Sequence, residues 1–530
     1  MEEALAHGPS LKAQFRKVMD NTFNVKISAT AQYIAPQHRH DRCERSVQMR
    51  LYTMSKQQFG ALTLIFVAFF FIFLFLGLAG PPITTIRTSS LTRLTQNSST
   101  AISYNGERMT IYTPILSPYC QQLWIIARMR LHKVGTGAVY MDRFVAEIDL
   151  YGIANGGKKE NMAVNINRTH SLTCHSTKCD SITLAHLSSL VYKQYQIDLR
   201  LYGLDQVVEQ FGIDDIDVYF KSYNPDFSKL EMVLRFLLVL IVFCVAVWFF
   251  QTLRSYNSRY WSIEQKWTSV LLPLLLLYDN PLFPMTFVFA GWVPAVLEGF
   301  FQATFLCALL LFWLCIYHAM RETERTLSSF WMPKVLPVGG MWFLSVVMTT
   351  WDRLNGYANP TWYNEIEQQE LGTFKVCFYV LGGIYLTYLA ILIIRAYGEL
   401  RNLPYFDLRL RFFSSLMFIV MIATLILTAT KFGVTPSLQD SFVAELTTAY
   451  SSSVEFMASY ALLNLYIIAM AVAYSPNPVT CESIMRDGLG EHMLIQNDSE
   501  DDMLFSSDHL SNGKQQSEPV VDVEDSDDDY

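Results

Sequence analysis

The sequence predicts a membrane α-helical bundle joined to an all-β luminal domain. The order is one anchor helix, a β-sandwich, and a seven-helix transmembrane domain. Three observations carry this. Residues 59–80, FGALTLIFVAFFFIFLFLGLAG, hold no charge. A segment of about 150 residues then changes to period-two patterning. Seven more long apolar runs follow it.

The cytosolic N-terminal segment, residues 1–58, ends in Arg39, Arg42, Arg45, Arg50 and Lys56. The run at 59–80 is 22 residues long, and about 20 apolar residues cross a bilayer core. It lies too far along the chain and is too long for the apolar part of a cleaved signal peptide, so it reads as a signal anchor.

Residues 81–229 read as strands. FVAEIDLYGI places Phe144, Ala146, Ile148 and Leu150 on one face, with Glu147 and Asp149 on the other. QYQIDLRLYGL, DIDVYFKSY and LWIIARMRL alternate in the same way, with turn residues such as NGGKKEN between runs. Alternation of this kind means antiparallel strands with one wet face, and its extent suggests a β-sandwich. Sequons at Asn97 and Asn167 offer glycosylation sites, while Pro360 excludes Asn359. Cys174 and Cys179, in CHSTKC, form a tight pair suited to a hairpin disulfide in an oxidising compartment. His170 and His175 flank the pair, but their spacing matches no usual zinc pattern, so no metal is expected. Cys120 is left over as a buried thiol.

The seven-helix domain, residues 230–475, is read from spans near 232–253, 267–284, 293–317, 331–352, 374–397, 413–430 and 453–474. Only helices satisfy so many lipid-embedded backbones in runs of this length. Arg254, Arg259, Lys266, Arg321, Arg325, Lys334, Arg395, Arg401, Arg409 and Arg411 fall in loops on one side. Arg353, Lys375 and Lys431 fall on the other. The positive-inside bias makes the first side cytosolic, with both termini there. Pro273 kinks its span, and Asp279-Asn280-Pro281 ends it near the luminal face. Cys244, Cys307, Cys315 and Cys377 read as packing residues within spans, and Glu455 and Asn464 as interhelical hydrogen-bonding groups.

The net charge of −8 resides mostly in residues 475–530, which carry 15 Asp/Glu against two Lys/Arg. The tail at 476–530 is too acidic and too poor in apolar residues to fold. Ser499 and Ser526 precede acidic triplets of the kind acidophilic kinases favour. No basic tract suits a nucleic acid. No HExxH, GxSxG or Walker motif is present, and no cofactor is expected.

The candidate ligand site is a luminal rim. Asp279 and Asn280 end one span, and Glu298 and Gln302, on one helical face, begin the next. Phe305 and Leu309, with Phe301 and Phe312, recur below it at helical spacing as a candidate apolar cavity for an acyl chain or lipid. The bland alternatives are a rim that is simply solvated and an aromatic stripe that packs on neighbouring helices.

EQKWTSVLLPLLLLYDNPLFP, FLCALLLFWLCIYH, YFDLRLRF, DSFVAELTTAY and the closing AYSP resemble the transmembrane protein 181 family over most of residues 49–476. A more distant resemblance to Wntless runs through Gln302, Phe305, Phe312-Trp313 and His318-Ala319-Met320. It implies one anchor helix, a GOLD-like luminal β-sandwich and a seven-helix domain. It also implies a receptor or trafficking carrier, not an enzyme, of the plasma membrane or the Golgi and secretory pathway. The implied partners are membrane lipids, a luminal or extracellular protein ligand (lipidated, or a bacterial toxin) and trafficking machinery reading the cytosolic tail. The toxin enters because the family is associated with host-cell sensitivity to a bacterial genotoxin. A G-protein-coupled signalling receptor and a channel or transporter stay open as alternatives.

Overall fold

The computed structural model describes residues 47, 49–90, 106–132, 139–154, 156–175, 178–204, 207, 211–289, 291–320, 330–360, 372–400, 404–432, 450 and 452–477. Asn97, Ser499, Ser526, Cys43, Cys481 and the acidic tail lie outside these residues.

The anchor helix α1 (Lys56–Leu78) starts where Ser55 and Gln58 form a reciprocal capping box. Its side chains are apolar all round and mostly exposed, as a lipid-facing helix requires. Gly77 marks where it meets the bundle. A Cβ there would stand 2.8 Å from the Cα of Val454, so glycine alone permits this approach.

Eight strands follow: β1 (Thr84–Ser90), β2 (Met109–Tyr112), β3 (Leu123–Leu131), β4 (Val139–Ile153), β5 (Lys159–His175), β6 (Lys178–Leu187), β7 (Gln194–Tyr202) and β8 (Ile213–Tyr223). Their order in the sheet is β1-β8-β3-β6-β5-β4-β7-β2, with every pairing antiparallel. The β5–β6 pairing spans only Cys174↔Cys179 and His175↔Lys178. The curled sheet is therefore two four-stranded halves hinged on one short seam. Both halves bury their inner faces in one core that includes Ile125, Ala127, Phe144, Ile148, Tyr195, Ile197, Val218 and Phe220. The alternating residues Phe144, Ala146, Ile148 and Leu150 are all at or below 2 % exposure. A disulfide joins Cys174 to Cys179 across the seam, with Cα atoms 3.7 Å apart. Cys120 is a buried free thiol whose Sγ donates to the Tyr223 carbonyl at 3.3 Å, and burial raises its pKa.

The remaining helices are α2 (Pro225–Arg254), α3 (Ile263–Tyr278), α4 (Val293–Ala319), α5 (Met332–Ala358), α6 (Gly372–Leu400), α7 (Pro404–Phe432) and α8 (Ser453–Tyr474). With α1, and with α3 counted on through the 3-10 turn to Phe287, eight helices among the described residues are long and apolar enough to cross a membrane. Asn224 caps α2, accepting from the Asp226 N–H, and Pro225 fits the first helical turn. Ser262 caps α3 with Gln265 in a second capping box. The helix α8 is the buried centre, with 78 % of its apolar window inside the protein, against 11 % for α1. Cys315 is buried, but Cys244 and Cys377 are exposed on outer helix faces and stand outside the core. Asn280 ends the α3 turn at φ 55°, in the left-handed region. Asn280 thus leaves right-handed helical geometry before Pro281, in a region that asparagine tolerates.

A buried charged cluster beneath the β domain

The chain leaves β8 directly into α2, so the β domain sits on the bundle without a linker. Asn224 ties the two ends together, its N–H donating to the Ile83 carbonyl and its side chain to the Pro82 carbonyl. One turn into α2 stand Ser228 and Glu231, and one turn further Arg235. Glu231 and Arg235 are four apart, the spacing that places them on one helical face.

The Arg235 guanidinium donates to Glu231 at 2.7 Å and to Glu298 of α4 at 2.6 Å. Side-chain exposures are 3 %, 5 % and 15 %, so the cluster is almost out of water. Aromatic rings shield its flanks. The Arg235 guanidinium carbon lies 4.3 Å from the Phe283 ring centre, 5.1 Å from Tyr460 and 5.8 Å from Phe456. Cation–π attraction of this kind strengthens as water is excluded. From the β domain, the Gln121 amide donates to Glu231 at 3.0 Å and to Ser228 at 3.1 Å. A loop of the sandwich thus reaches the charged cluster of the helices.

A second polar layer lies deeper. The Asn464 amide on α8 donates to Asp279 at 2.9 Å and to the Tyr460 carbonyl. Both Asp279 and Asn464 are buried, at 0 % and 1 % exposure. Gln302 links the layers, donating to Glu298 at 3.3 Å and to the Tyr460 hydroxyl at 3.4 Å. Of the four rim residues expected from the sequence, the structure joins Glu298 to Gln302 and gives Asp279 a partner on α8. Asn280 is buried at the turn beside Asp279.

Above Glu231 and Glu298 a cleft of about 70 Å³ opens between the β domain and the helices. Its walls include Gln121, Ser188 and Tyr223 from the sandwich, and Thr286, Trp292 and Arg353 from the bundle. Glu298 lines it; Asp279, Asn280, Gln302, Phe305 and Leu309 do not. Phe305 and Leu309 belong to the packed core instead, at 0 % and 3 % exposure. Phe305 lies 4.9 Å from Tyr278, and Phe312 lies 5.5 Å from Phe413. The aromatic stripe thus packs on neighbouring helices, and the expected acyl cavity between these rings is filled by them.

Asn167 is exposed in the middle of β5. Arg235 and Gln121 escape sequence reasoning. The Glu231–Arg235 spacing is a signal for the former; the latter has none.

At the sandwich's lower edge, the His186 N–H donates to the Pro360 carbonyl and Ser188 donates to the Gly356 carbonyl. The His186 ring stacks on Trp124 at 4.9 Å. Burial, with Arg353 nearby, pushes its pKa from 6.5 down to about 4.

Residues 107–223 match the family described as TMEM181, GOLD domain, and residues 224–478 match the family described as Wntless-like, transmembrane domain. The chain is 39 % identical to human transmembrane protein 181 over 476 residues, covering 88 % of this chain and 96 % of that protein. Protein wntless homologs A and B of Xenopus laevis are 22 % identical over 344 residues, covering 60 % of this chain and 62 % of theirs. The eight-stranded curled sheet (β1 aside) and the bundle of apolar helices occupy the two matched regions, the anchor helix precedes them, and the chain is a multi-pass membrane protein of the transmembrane protein 181 family.

Proposed function

We propose that this protein is a receptor or trafficking carrier of the secretory pathway, and not an enzyme. Its β domain faces the lumen or the cell exterior and both termini face the cytosol. The ligand is a luminal or extracellular protein, with lipidated proteins and bacterial toxins among the classes to test. It engages the cleft between sandwich and bundle. The acidic tail addresses trafficking machinery, with Ser499 and Ser526 as phosphorylation sites.

The observation that carries this reading is the hydrogen bond from Gln121 to Glu231 at the base of that cleft. A ligand that pulls on the sandwich acts on a buried ion cluster joining α2 to α4. The cleft has room for a side chain or a few waters. It therefore suits the tip of a protein ligand rather than a whole acyl chain.

Photoreactive residues placed at Trp292 and Tyr357, both lining the cleft, test the reading in intact cells. The expected result is crosslinking to a defined secreted polypeptide, lost on Glu298→Ala and absent from Tyr202 at the far end of β7. Equal crosslinking at all three positions would sink it. The topology is tested by glycosidase treatment, which should raise mobility in the native chain and have no effect once Asn97→Gln and Asn167→Gln are combined.

A further inference from the structure

The helix α3 has 16 residues, which at 1.5 Å each gives about 24 Å. The hydrocarbon core is about 30 Å thick. The next helix, α4, has 27 residues and reaches about 40 Å. Lys266 holds the first turn of α3 near the far interface, so the shortfall lies at the end toward the β domain. The connection from α3 to α4, residues 281–292, thus begins at membrane depth and not above it.

The sequence of that connection, PLFPMTFVFAGW, contains no ionisable group. Phe283 turns inward onto Arg235, but most of its apolar side chains are turned outward: Val288 is 76 % exposed and Phe289 59 %, with Leu282, Met285 and Trp292 also exposed. An irregular segment facing water would be expected to show polar side chains instead. Its backbone is also prepared for lipid. Pro281 and Pro284 have no N–H to satisfy. Phe283 donates to Asn280, Met285 to Leu282, and Val288 and Phe289 both to Met285, at 2.8–3.1 Å. Phe283–Phe287 is itself a short 3-10 helix, and in lipid every backbone polar group has to find its partner within the protein, as these do.

The β domain rests on this segment. Tyr119, in the loop before β3, sets its ring edge-on to Phe287 at 5.9 Å, and 40 % of Tyr119 remains exposed. Lys229 holds its ammonium 5.6 Å from the centre of the Tyr119 ring. A tyrosine with an exposed ring beside a lysine is the side-chain pairing found where proteins meet headgroups.

We propose that residues 281–289 form a lipid-embedded platform in the leaflet on the β-domain side, and that Tyr119 seats the β domain on the bilayer surface through it. The partner is the lipid surface itself, and the interface continues that of the membrane-crossing helices on either side. The sandwich is then held against the headgroups and its lower edge cannot rise without drawing Tyr119 off the platform.

An environment-sensitive fluorophore on Val288→Cys, Tyr119→Cys or Asp214→Cys tests this in vesicles. The full chain is used, with Cys43, Cys244, Cys377 and Cys481 replaced by serine. Asp214 is exposed at the opposite end of the sandwich. Lipids carrying a headgroup nitroxide should quench the probes at Val288 and Tyr119 several-fold more than the probe at 214, with blue-shifted emission at Val288. Quenching at all three positions equal to that at 214 would overturn the platform. Quenching at Val288 without Tyr119 would overturn the seating of the β domain. A gel-filtration profile matching the native chain, required of each labelled protein, separates a misfolded variant from a negative answer.

Discussion

Two arginines in this molecule each hold two carboxylates, and their surroundings differ. Arg130, on β3, bonds Asp215 and Asp217 of β8, both at 3.1 Å, with 39 % of its own side chain exposed. Arg235, on α2, bonds Glu231 and Glu298 at 2.7 and 2.6 Å with 3 % exposed. The first cluster keeps much of its hydration and gains little from pairing. The second has surrendered its water, so each partner depends on the others. A charged pair therefore acts as a decoration on the sandwich and as a structural joint in the bundle.

The largest expected effect is at Arg235. Arg235→Leu leaves two buried glutamates without their cation and should cost about 3–5 kcal/mol. Thermal unfolding in detergent, followed by the loss of monodisperse protein, should register it as a large drop in midpoint. Adding Glu231→Leu and Glu298→Leu should recover much of the loss, because a wholly apolar replacement leaves no orphan. If the triple variant stays as unstable as the single one, the ion cluster is not the reason.

Asn464→Leu comes next. It removes the donor to Asp279 and strands a buried acceptor, at about 1–3 kcal/mol. Asn464→Leu combined with Asp279→Leu should be milder than the single change. An equal or larger loss in the double variant would show that packing, not the hydrogen bond, is at stake.

The third effect depends on pH. His186 is held neutral in the folded protein, with its pKa lowered from 6.5 to about 4. Its contribution is intact above the unfolded value and is lost as pH falls from there toward the folded one, because the unfolded state takes up the proton first. Protection of residues 185–188 against hydrogen exchange, corrected for the intrinsic pH dependence of exchange, should fall between about pH 7 and pH 5, and His186→Gln should flatten that dependence. Exchange that is equally pH-sensitive in the variant would assign the effect to another group.

The smallest effect is on the exposed side of the comparison. Arg130→Leu should cost about 0–1 kcal/mol, read in the same unfolding assay. A loss as large as that of Arg235→Leu would erase the distinction between the two clusters.

Much of this architecture is legible in the sequence. Apolar runs long enough to cross a bilayer are rare in water-soluble chains, so eight of them in one chain specify a membrane bundle. The strand alternation of Phe144, Ala146, Ile148 and Leu150 maps onto one buried face. The candidate site is only partly legible. Glu298 and Gln302 stand together because helical spacing is local. Arg235 is lost in the hydropathy of the 30 residues of α2, where one charge barely alters the average. The Gln121–Glu231 bond joins residues 110 apart, and nothing in either local sequence announces the other. The same holds for Asp279 and Asn464, which are 185 apart. Phe305 and Leu309 show the reverse problem: a stripe at helical spacing looks the same whether it lines a void or fills one.

The contact of α1 with α8 sets a schedule for biosynthesis. Ser453 bonds the Pro81 carbonyl across 372 residues, and Met49 pairs with Pro476 just outside both helices. The first membrane helix to leave the ribosome therefore waits for the last before its packed face is covered. At roughly 5–20 residues per second, that wait is roughly 20–75 s. Through that interval Gly77 and its neighbours stand against lipid or a chaperone, so a nascent chain cut short before α8 leaves the packed face of its anchor uncovered, with the Phe59–Phe412 ring contact to α7 still available to it.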